Sequence, residues 1–425
     1  MKKRSFLPFA FLLGAVAALI VWLFMFLMGL SYDLIWVKLV NWSGLKILPI
    51  IICAFGGLLI GLLEKQTGER LPHLEEVLEE VSEKKRLDYK RIPVTALRAF
   101  LPLAFGGSIG PEAGLTNIIA EICSWINDRF KMAKNQMDDF AELGMSATVT
   151  AIFGAPLYGL VLPFTEEEKE KTSIGDTQKP KKSEKIILYF TTVMGGLVVM
   201  VLLRNIFGGG EGLPHFEQIE WHLFDLLKAV PIALVGVIAG WLFLAFGKVT
   251  KVASDILEEQ VIIRTVICGI ILGTIGIFVP YALFSGEHQL GELIGTWGGM
   301  TGVFLILTGV AKLFVTPLCV NLGWVGGNIF PLIFAGVSIG YGLSVITGWD
   351  AILCVTVMAA SICSAVMRKP IIVIAVLFLC FPIKDIPFLL VGAYLAAAIP
   401  VPAFLNDKEH KKVVKQKRRA KPSLK

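Results

Sequence analysis

Residues 7–30 read LPFAFLLGAVAALIVWLFMFLMGL, without a single charged side chain. Uninterrupted apolar runs of about 18 residues or more are typical of helices that cross a membrane. The preceding Lys2-Lys3-Arg4 also fits the start of a secretory signal peptide. However, the apolar part of a signal peptide is roughly 7–15 residues long and ends in small residues at a cleavage site. Since this run is longer and continues into Gly29-Leu30-Ser31-Tyr32-Asp33, we predict a helix that is retained in the membrane.

The composition of the whole chain agrees with this reading. Of its 425 residues, 55% are hydrophobic and 17% are charged, and the mean hydropathy is +0.72; ordinary soluble domains carry about 25% charged residues. Further apolar segments follow, among them 289–318 and 370–399, and Gly or Pro interrupts many of them. Interrupted helices persist in lipid only where protein or a water-filled path surrounds their backbone. We therefore predict an all-α polytopic membrane protein whose broken helices form a transport site.

Metal, disulfide and enzymatic chemistry are not expected. The cysteines all lie in apolar segments, with no C-x-x-C pair and no pairing with histidine, which argues against zinc and against a disulfide framework. None of the five histidines is inside an apolar run, and an H-E-x-x-H motif is absent. We predict no cofactor, no metal site and no enzyme. The seven cysteines are Cys53, Cys123, Cys268, Cys319, Cys354, Cys363 and Cys380.

The charged connectors predict an orientation. Lys and Arg are frequent in residues 64–91, in residues 166–185 and in the tail from Lys408 to Lys425, whereas residues 208–222 and 285–296 contain neither. The positive-inside rule therefore places both termini and the basic connectors in the cytoplasm, and the other two loops outside a cell inner membrane. A basic tail beside a membrane span marks the cytoplasmic side more often than a nucleic-acid partner, so none is expected.

The expected organisation has five parts. Residues 1–6 form the cytoplasmic N-terminus, and residues 7–206 form a first membrane half. Residues 207–260 hold an extracellular loop, an interface helix and a cytoplasmic connector. Residues 261–402 form a second membrane half, and residues 403–425 form the basic cytoplasmic tail.

Two glycine-rich breaks carry the chemistry. The first reads Gly106-Gly107-Ser108-Ile109-Gly110-Pro111-Glu112, and a helix is predicted from Ala113 onward. A helix N-terminus has unpaired N–H donors and a partial positive charge, which suit an anion. Glu112 stands at that end; it is either a helix-capping acid or a functional intramembrane acid. A carboxylate there could occupy the place of an anion and leave it on protonation. The second break, Gly323 to Pro331, repeats the arrangement without a fixed charge, and no G-x-x-x-x-G-K-[ST] phosphate loop is present.

The two halves share an order of motifs. The first break is followed about 45 residues later by Gly154-Ala155-Pro156-Leu157, and the second is followed at similar spacing by Arg368-Lys369-Pro370-Ile371. A glycine-rich break, a helix and then a proline-led apolar helix, in both halves, is typical of inverted-repeat transporters.

The order and content of these motifs resemble the CLC family of chloride channels and anion–proton exchangers, over about residues 10–400. Residues 110–114 (GPEAG) are similar to the family's G-K/R-E-G-P motif, and residues 326–331 (GGNIFP) to its G-G-I-F-A-P form. Residues 153–159 (FGAPLYG) resemble F-N-A-P-L-A-G, and residues 368–370 (RKP) resemble R-A-P. Lys312 stands where the family commonly keeps a membrane lysine.

The resemblance implies a CLC-like inverted repeat of broken and tilted helices, a pore in each subunit and a homodimer. It implies that Glu112 is the gating glutamate and that Glu112 and Glu166 transfer protons. Glu166 also opens a charged loop with Glu167 and Glu168, so it is alternatively a solvated loop acid. The residues implied to line the anion path, mainly by their backbone, are Gly110, Ala113, Gly114, Gly327, Ile329 and Phe330.

Three departures from the family pattern affect the expected ion preference. Pro111 replaces the basic residue of the first motif. The family's G-S-G-I-P segment is matched only loosely by Gly68-Glu69-Arg70-Leu71-Pro72, where Glu69 would repel chloride unless Arg70 or protonation compensates. Residues 399–404 contain no counterpart of the family tyrosine. We expect transport of chloride coupled to proton counter-transport; the alternative is a passive, proton-gated channel for chloride or fluoride.

Overall fold

The computed structural model describes residues 7–68, 77, 87–130, 140–153, 155–157, 159–161, 182–207, 214–218, 220–378 and 380–405. In these residues the chain is almost entirely helical, as predicted. Within the described residues, fifteen α-helices follow one another along the chain. The first eight are α1 (Leu7–Tyr32), α2 (Val40–Ser43), α3 (Leu48–Thr67), α4 (Ile92–Ala104), α5 (Glu112–Phe130), α6 (Phe140–Phe153), α7 (Lys182–Phe207) and α8 (Asp225–Ile256). The others are α9 (Val261–Phe278), α10 (Glu287–Thr296), α11 (Gly302–Asn321), α12 (Ile329–Thr347), α13 (Ala351–Met367), α14 (Pro370–Leu377) and α15 (Ile386–Ala398).

Several helices are long and apolar enough to cross a membrane, which confirms the polytopic prediction. A π-helical stretch, Asp33–Leu39, continues α1. Within the described residues seven helices qualify: Leu7–Leu39, Leu48–Thr67, Ile186–Phe207, Asp225–Ile256, Val261–Phe278, Gly302–Asn321 and Ile329–Thr347. Their outward faces carry exposed large apolar side chains such as Leu227 and Ile238 on α8, which is the pattern expected of a surface covered by lipid.

The most deeply buried helices are α12 and α13, which pack against each other at the centre of the molecule. Nearly every residue of α12 from Ile329 to Gly342 is buried. Gly336 and Gly340 bring the two backbones together, because a Cβ at either position would meet the backbone of Ala359 or Val355 on α13. Small residues at helix crossings are how membrane helices achieve close packing. This close packing fixes the position of α12, which begins at Ile329 directly after the second break.

Two of the apolar segments read from the sequence are each divided into two helices in the structure. Residues 289–318 form most of α10 and most of α11, separated by a 3-10 turn at Trp297–Gly299. Residues 370–399 form α14 and α15, separated by a turn that contains Pro382 and the 3-10 stretch Ile383–Asp385. Consecutive glycines and a proline do not continue a helix, and their positions account for both interruptions.

The repeated order predicted from sequence is present. In the second half, the break at 322–328 leads into α12, then α13, then α14, which has Pro370 in its first turn. In the first half, the break at 105–111 leads into α5, then α6, then a helical stretch that begins at Pro156. The two halves therefore bring equivalent breaks and equivalent helix N-termini to the interior.

Candidate functional site

The two glycine-rich breaks meet in the middle of the molecule. The Gly110 N–H donates to the Gly327 carbonyl at 2.7 Å, and the Gly327 N–H donates to the Gly110 carbonyl at 2.8 Å. This pair, the glycine bridge, is an isolated antiparallel β-bridge. An antiparallel pairing means that the chain enters the two breaks in opposite directions, as an inverted repeat requires. The bridge places the N-terminus of α5 beside the N-terminus of α12.

Glu112, the first residue of α5, reaches across to α12. Its side chain is fully buried, and its Oε1 accepts a hydrogen bond from the Ile329 N–H at 2.8 Å. The backbone N–H groups of Phe330 and of Glu112 itself also lie near the carboxyl group. Oε2 has no hydrogen-bond partner among the described residues. The carboxyl group at the start of α5 therefore accepts a hydrogen bond from the backbone at the start of α12.

The backbone N–H groups in the first turn of α12 have few other hydrogen-bond acceptors. Its N-cap residue, Asn328, makes no side-chain capping hydrogen bond. The third residue is Pro331, which has no N–H. The amides of Ile329 and Phe330 therefore have no hydrogen-bond partner within the helix. A helix N-terminus of this kind binds carboxylates and other anions.

The glycine bridge makes room for the Glu112 carboxyl group. A Cβ at Gly110 would overlap Oε2 of Glu112, and a Cβ at Gly327 would overlap its Cδ and Oε1. Neither glycine has a positive φ, so the absence of a side chain, and not an unusual backbone conformation, is what these positions require. The N–H groups of both glycines are used within the bridge.

Ala113 and Gly114 follow Glu112 on α5 and are buried. A Cβ at Gly114 would overlap the Cβ of Ala99, so Gly114 lets α4 pack closely on α5. The backbone of six residues was predicted to line an anion path. Of these, Ile329 and Phe330 have amides near the carboxyl group of Glu112. The positions of Gly110 and Gly327 are explained by the bridge.

Side chains from both halves surround the site. The Phe330 ring stacks on Phe153 at the end of α6, with centroids 4.6 Å apart and an interplanar angle of 17°. The hydroxyls of Ser108 and Thr316 lie 3.2 Å apart, and Thr316 also donates to the Lys312 carbonyl at 2.9 Å. The first break is therefore tied to α11 as well as to α12.

Lys312 organises the neighbouring backbone. Its side chain is fully buried, and its Nζ donates to a cluster of carbonyl oxygens in the turn that follows α9. The same Nζ lies 5.0 Å from the centre of the Phe334 ring on α12. The acceptors are Tyr281 at 3.3 Å, Ala282 at 3.3 Å, Leu283 at 2.9 Å and Phe284 at 2.6 Å.

Three predicted site residues lie outside the described residues: Glu69, Arg70 and Glu166. Gly68 is described, and it ends α3 in the left-handed conformation with φ 68°, its N–H donating to the Glu64 carbonyl at 2.9 Å. The prediction of a central-site region at residues 68–70 and of a proton-transfer role for Glu166 therefore stays a prediction.

Sequence reasoning did not foresee three contacts of this site. These are the glycine bridge, the hydroxyl pair of Ser108 and Thr316, and the stacking of Phe153 on Phe330. Each joins residues that are far apart in sequence, and no local pattern specifies such pairs. The glycine doublets were the available signal, since glycine in an apolar segment often marks close backbone approach.

Chemically, the arrangement is an amide-lined site that holds a carboxylate. Protonation of Glu112 would remove its charge and weaken its hold on the Ile329 amide, because hydrogen bonds to charged acceptors are roughly twice as strong as neutral ones. The vacated amides would then be open to another anion. The geometry therefore supports exchange between an internal carboxylate and an external anion.

Comparison with known proteins agrees with these features. A family model described as "Voltage gated chloride channel" matches residues 52–400. The chain is 24% identical over 251 residues to a putative ion-transport protein YfeO of Escherichia coli O7:K1 (strain IAI39 / ExPEC), and 24% identical over 250 residues to that of Shigella boydii serotype 4 (strain Sb227). Each match covers 59% of this chain and 57% of the relative, so the chain spans little more than half the length of these relatives.

Two solved structures share the fold. A CLC-type fluoride/proton antiporter superposes with a TM-score of 0.71 at 18% identity, covering 93% of this chain and 95% of that one. A slow cyanobacterial Cl⁻/H⁺ antiporter superposes with a TM-score of 0.76 at 16% identity, covering 96% of this chain and 98% of that one. At these identities the similarity shows the architecture, and it is nearly complete over both chains.

Proposed function

Since this chain belongs to the voltage gated chloride channel family, we propose that it transports small inorganic anions across a membrane in exchange for protons. Chloride is the proposed substrate. The single observation that supports this most is the hydrogen bond from the Ile329 N–H to Oε1 of Glu112. It joins an acid from one half of the molecule to the anion-favouring helix N-terminus of the other half.

The proposed cycle alternates two occupants of the Ile329 and Phe330 amides. While Glu112 is ionised, its carboxylate occupies them and excludes the anion. Protonation of Glu112 releases the amides, the anion enters, and its later departure allows the carboxylate to return with loss of the proton. Binding of proton and anion is therefore linked through one side chain, which any coupled transport of the two ions requires.

The choice of chloride comes from the family resemblance, and fluoride is the alternative that the comparisons raise. The two structural relatives are a fluoride/proton and a Cl⁻/H⁺ antiporter by name. Competition in a flux assay separates the two ions: chloride efflux should be inhibited by external bromide, a similar halide, and little affected by equimolar fluoride if chloride is the substrate.

A second proton-carrying residue is part of this proposal. Glu166 would collect protons at the cytoplasmic face and pass them toward Glu112. The cytoplasmic location of the termini, the inner-membrane location and a homodimeric assembly complete the proposal; the first two rest on the distribution of Lys and Arg and the third on the family resemblance.

The substitution Glu112→Gln tests the mechanism. Gln resembles the protonated carboxyl in shape and charge, so it cannot be released or restored by a change of pH. In wild-type liposomes chloride flux should rise as the pH falls, because protonation frees the amides. In Glu112→Gln liposomes the flux should be nearly independent of pH between 4.5 and 7.5.

The matched control is Glu121→Gln, which removes a second buried acid from the same helix, α5. A wild-type pH profile in Glu112→Gln would overturn the assignment.

A further inference from the structure

A cavity of about 280 Å³ lies beside the first break and has no part in the proposed cycle. Its walls come from the last two turns of α1, from the end of α4, and from residues 284–289, which lead into α10. Pro111, the residue before Glu112, closes one side. At this volume the cavity is close to the lower end of small-molecule pockets, roughly 300–1,000 Å³.

Most of the cavity wall is apolar. Met25 and Met28 of α1 face Leu103 of α4 across it. Two aromatic rings lie at the polar end: Tyr32 and Phe284 pack edge to face, with centroids 5.0 Å apart and an interplanar angle of 72°. An apolar wall with an aromatic rim suits a ligand that is apolar at one end and polar at the other.

The polar end lacks a hydrogen-bond donor. Gln289 is only 6% exposed, and its Oε1 has no hydrogen-bond partner among the described residues. Buried carbonyl oxygens in native proteins almost always accept a hydrogen bond. An unpaired acceptor in the wall of a cavity therefore points to a ligand that brings an N–H or O–H group.

The charges at this end select a cation. The carboxylates of Asp33 and Glu287 line the cavity, and no lysine or arginine of the described residues does so. The other ionisable groups of the lining are Tyr32 and the exposed His288, whose ring centroids lie 5.6 Å apart. Further out, Glu292 acts electrostatically on Tyr32 together with Asp33. An anion would meet two carboxylates here, whereas a cation would be attracted.

We propose that this cavity binds an amphipathic primary ammonium compound. The ammonium is an N–H donor, which matches the acceptors offered by the unpaired Gln289 Oε1 and the exposed Asp33 carboxylate. The rings of Tyr32 and Phe284 add a favourable face for the positive charge, and the apolar part of the ligand lies against Met25, Met28 and Leu103. The site differs from the amides of Ile329 and Phe330 in both location and sign of charge.

The binding test uses 4-phenylbutylammonium and purified full-length protein in detergent, measured by equilibrium dialysis. We expect saturable binding of one molecule per chain. The neutral alcohol 4-phenylbutanol, which has nearly the same size, should bind about tenfold more weakly, because hydrogen bonds from a charged donor contribute more than neutral ones.

Substitutions in the lining should weaken binding, and a matched one elsewhere should not. Asp33→Asn with Glu287→Gln removes both charges, and Gln289→Leu removes the unpaired acceptor; each change should raise the Kd about tenfold. Asp33 is exposed, so Asp33→Asn alone keeps the fold and should still raise the Kd about threefold. The control, Glu258→Gln, alters an exposed acid between α8 and α9, and it should leave the Kd unchanged. Equal affinity for the alcohol, or unchanged binding in all three lining variants, would overturn the proposal.

Two sources of such an ammonium group can be separated. In nanodiscs of phosphatidylethanolamine, whose headgroup is a primary ammonium, a lipid occupant would compete and raise the probe's Kd severalfold relative to phosphatidylcholine. Equal Kd values in the two lipids would assign the site to a water-borne amine. Either result requires specific binding of the probe, and binding that does not saturate in both lipids would contradict the site.

Discussion

Gly110 and Gly327 have no Cβ, and the space that those atoms would take is filled by the carboxyl group of Glu112. These three residues depend on one another. The glycines give Glu112 access to the Ile329 amide, and Glu112 in turn satisfies a buried donor at the start of α12. The same contacts therefore require a carboxyl group at position 112 and exclude a side chain at positions 110 and 327.

Gly327→Ala should reveal this dependence. The added methyl would overlap the Glu112 carboxyl group, and overpacking of a buried site costs about 1–3 kcal/mol in the free energy of unfolding. Removing the overlap with Glu112→Ala should make Gly327→Ala less costly, so the two changes should couple by at least about 0.5 kcal/mol. Thermal unfolding in detergent measures both effects.

The control for this substitution is Gly291→Ala on α10, where an added Cβ meets nothing within 4 Å. It should be neutral or slightly stabilising, because Ala favours a helix more than Gly does. Additive effects of Gly327→Ala and Glu112→Ala would show that the overlap described here does not control stability.

At this scale the sequence singled out residues that the structure brings into contact. An acid at the start of a helix in an apolar segment was enough to select Glu112, and the family motifs selected Ile329 and Phe330. Which amide Glu112 contacts could not be predicted, because that amide belongs to a helix 217 residues away. The contact depends on the packing of two halves, which local sequence does not encode.

At the scale of elements, broken helices are held together by polar contacts inside an apolar interior. Lys312 of α11 binds the carbonyls of the 281–284 turn, whose Phe284 has φ 61° and donates its N–H to the Gly106 carbonyl at 3.0 Å. A buried ammonium thus supplies donors for a turn that cannot pair its own carbonyls. Through Phe284, the second half also fixes the first break.

Lys312→Met should therefore be strongly destabilising. Met has a similar length but no donor, and losing hydrogen bonds from a charged group costs about 1.5–3 kcal/mol. Lys228→Met is the matched control: Lys228 is partly exposed and pairs with Asp225 at 2.7 Å, so its loss should cost less than about 1 kcal/mol. Both costs can be read from the midpoints of thermal unfolding in the same detergent. Equal midpoints for the two variants would mean that the turn does not depend on Lys312.

The sequence located this lysine but not its partners. Hydropathy found the membrane helices, because length and composition are local properties. It joined residues 289–318 and residues 370–399 into single segments, since apolar residues on both sides of a turn mask the interruption. Long, uniform helices were therefore predicted well, and short helices separated by tight turns were predicted poorly.

At the scale of the whole molecule, the Lys and Arg distribution predicts sidedness. All seven cysteines are buried, so an introduced surface cysteine should give a clear signal with an impermeant thiol reagent. Gly298→Cys, in the exposed turn between α10 and α11, should react in intact spheroplasts. Glu258→Cys, in the exposed turn between α8 and α9, should react only after lysis. The opposite labelling pattern would reverse the proposed topology.

The antiparallel glycine bridge joins the two halves at the centre of the molecule, where we propose that an anion and the Glu112 carboxylate alternate. An acidic gate makes the proposed transport sensitive to protons, but it does not by itself couple proton movement to anion movement. A channel would need only the gate, whereas an exchanger also needs a second acid such as Glu166 on the proton path.

The most direct measurement is therefore made on purified protein in sealed liposomes, recording chloride flux and internal pH together under a chloride gradient with no initial pH difference. If exchange is coupled to protons, protons should move opposite to chloride and against the proton gradient that develops, and Glu166→Ala should abolish this movement while chloride flux continues. Robust chloride flux with no proton movement under any gradient would contradict proton-coupled exchange.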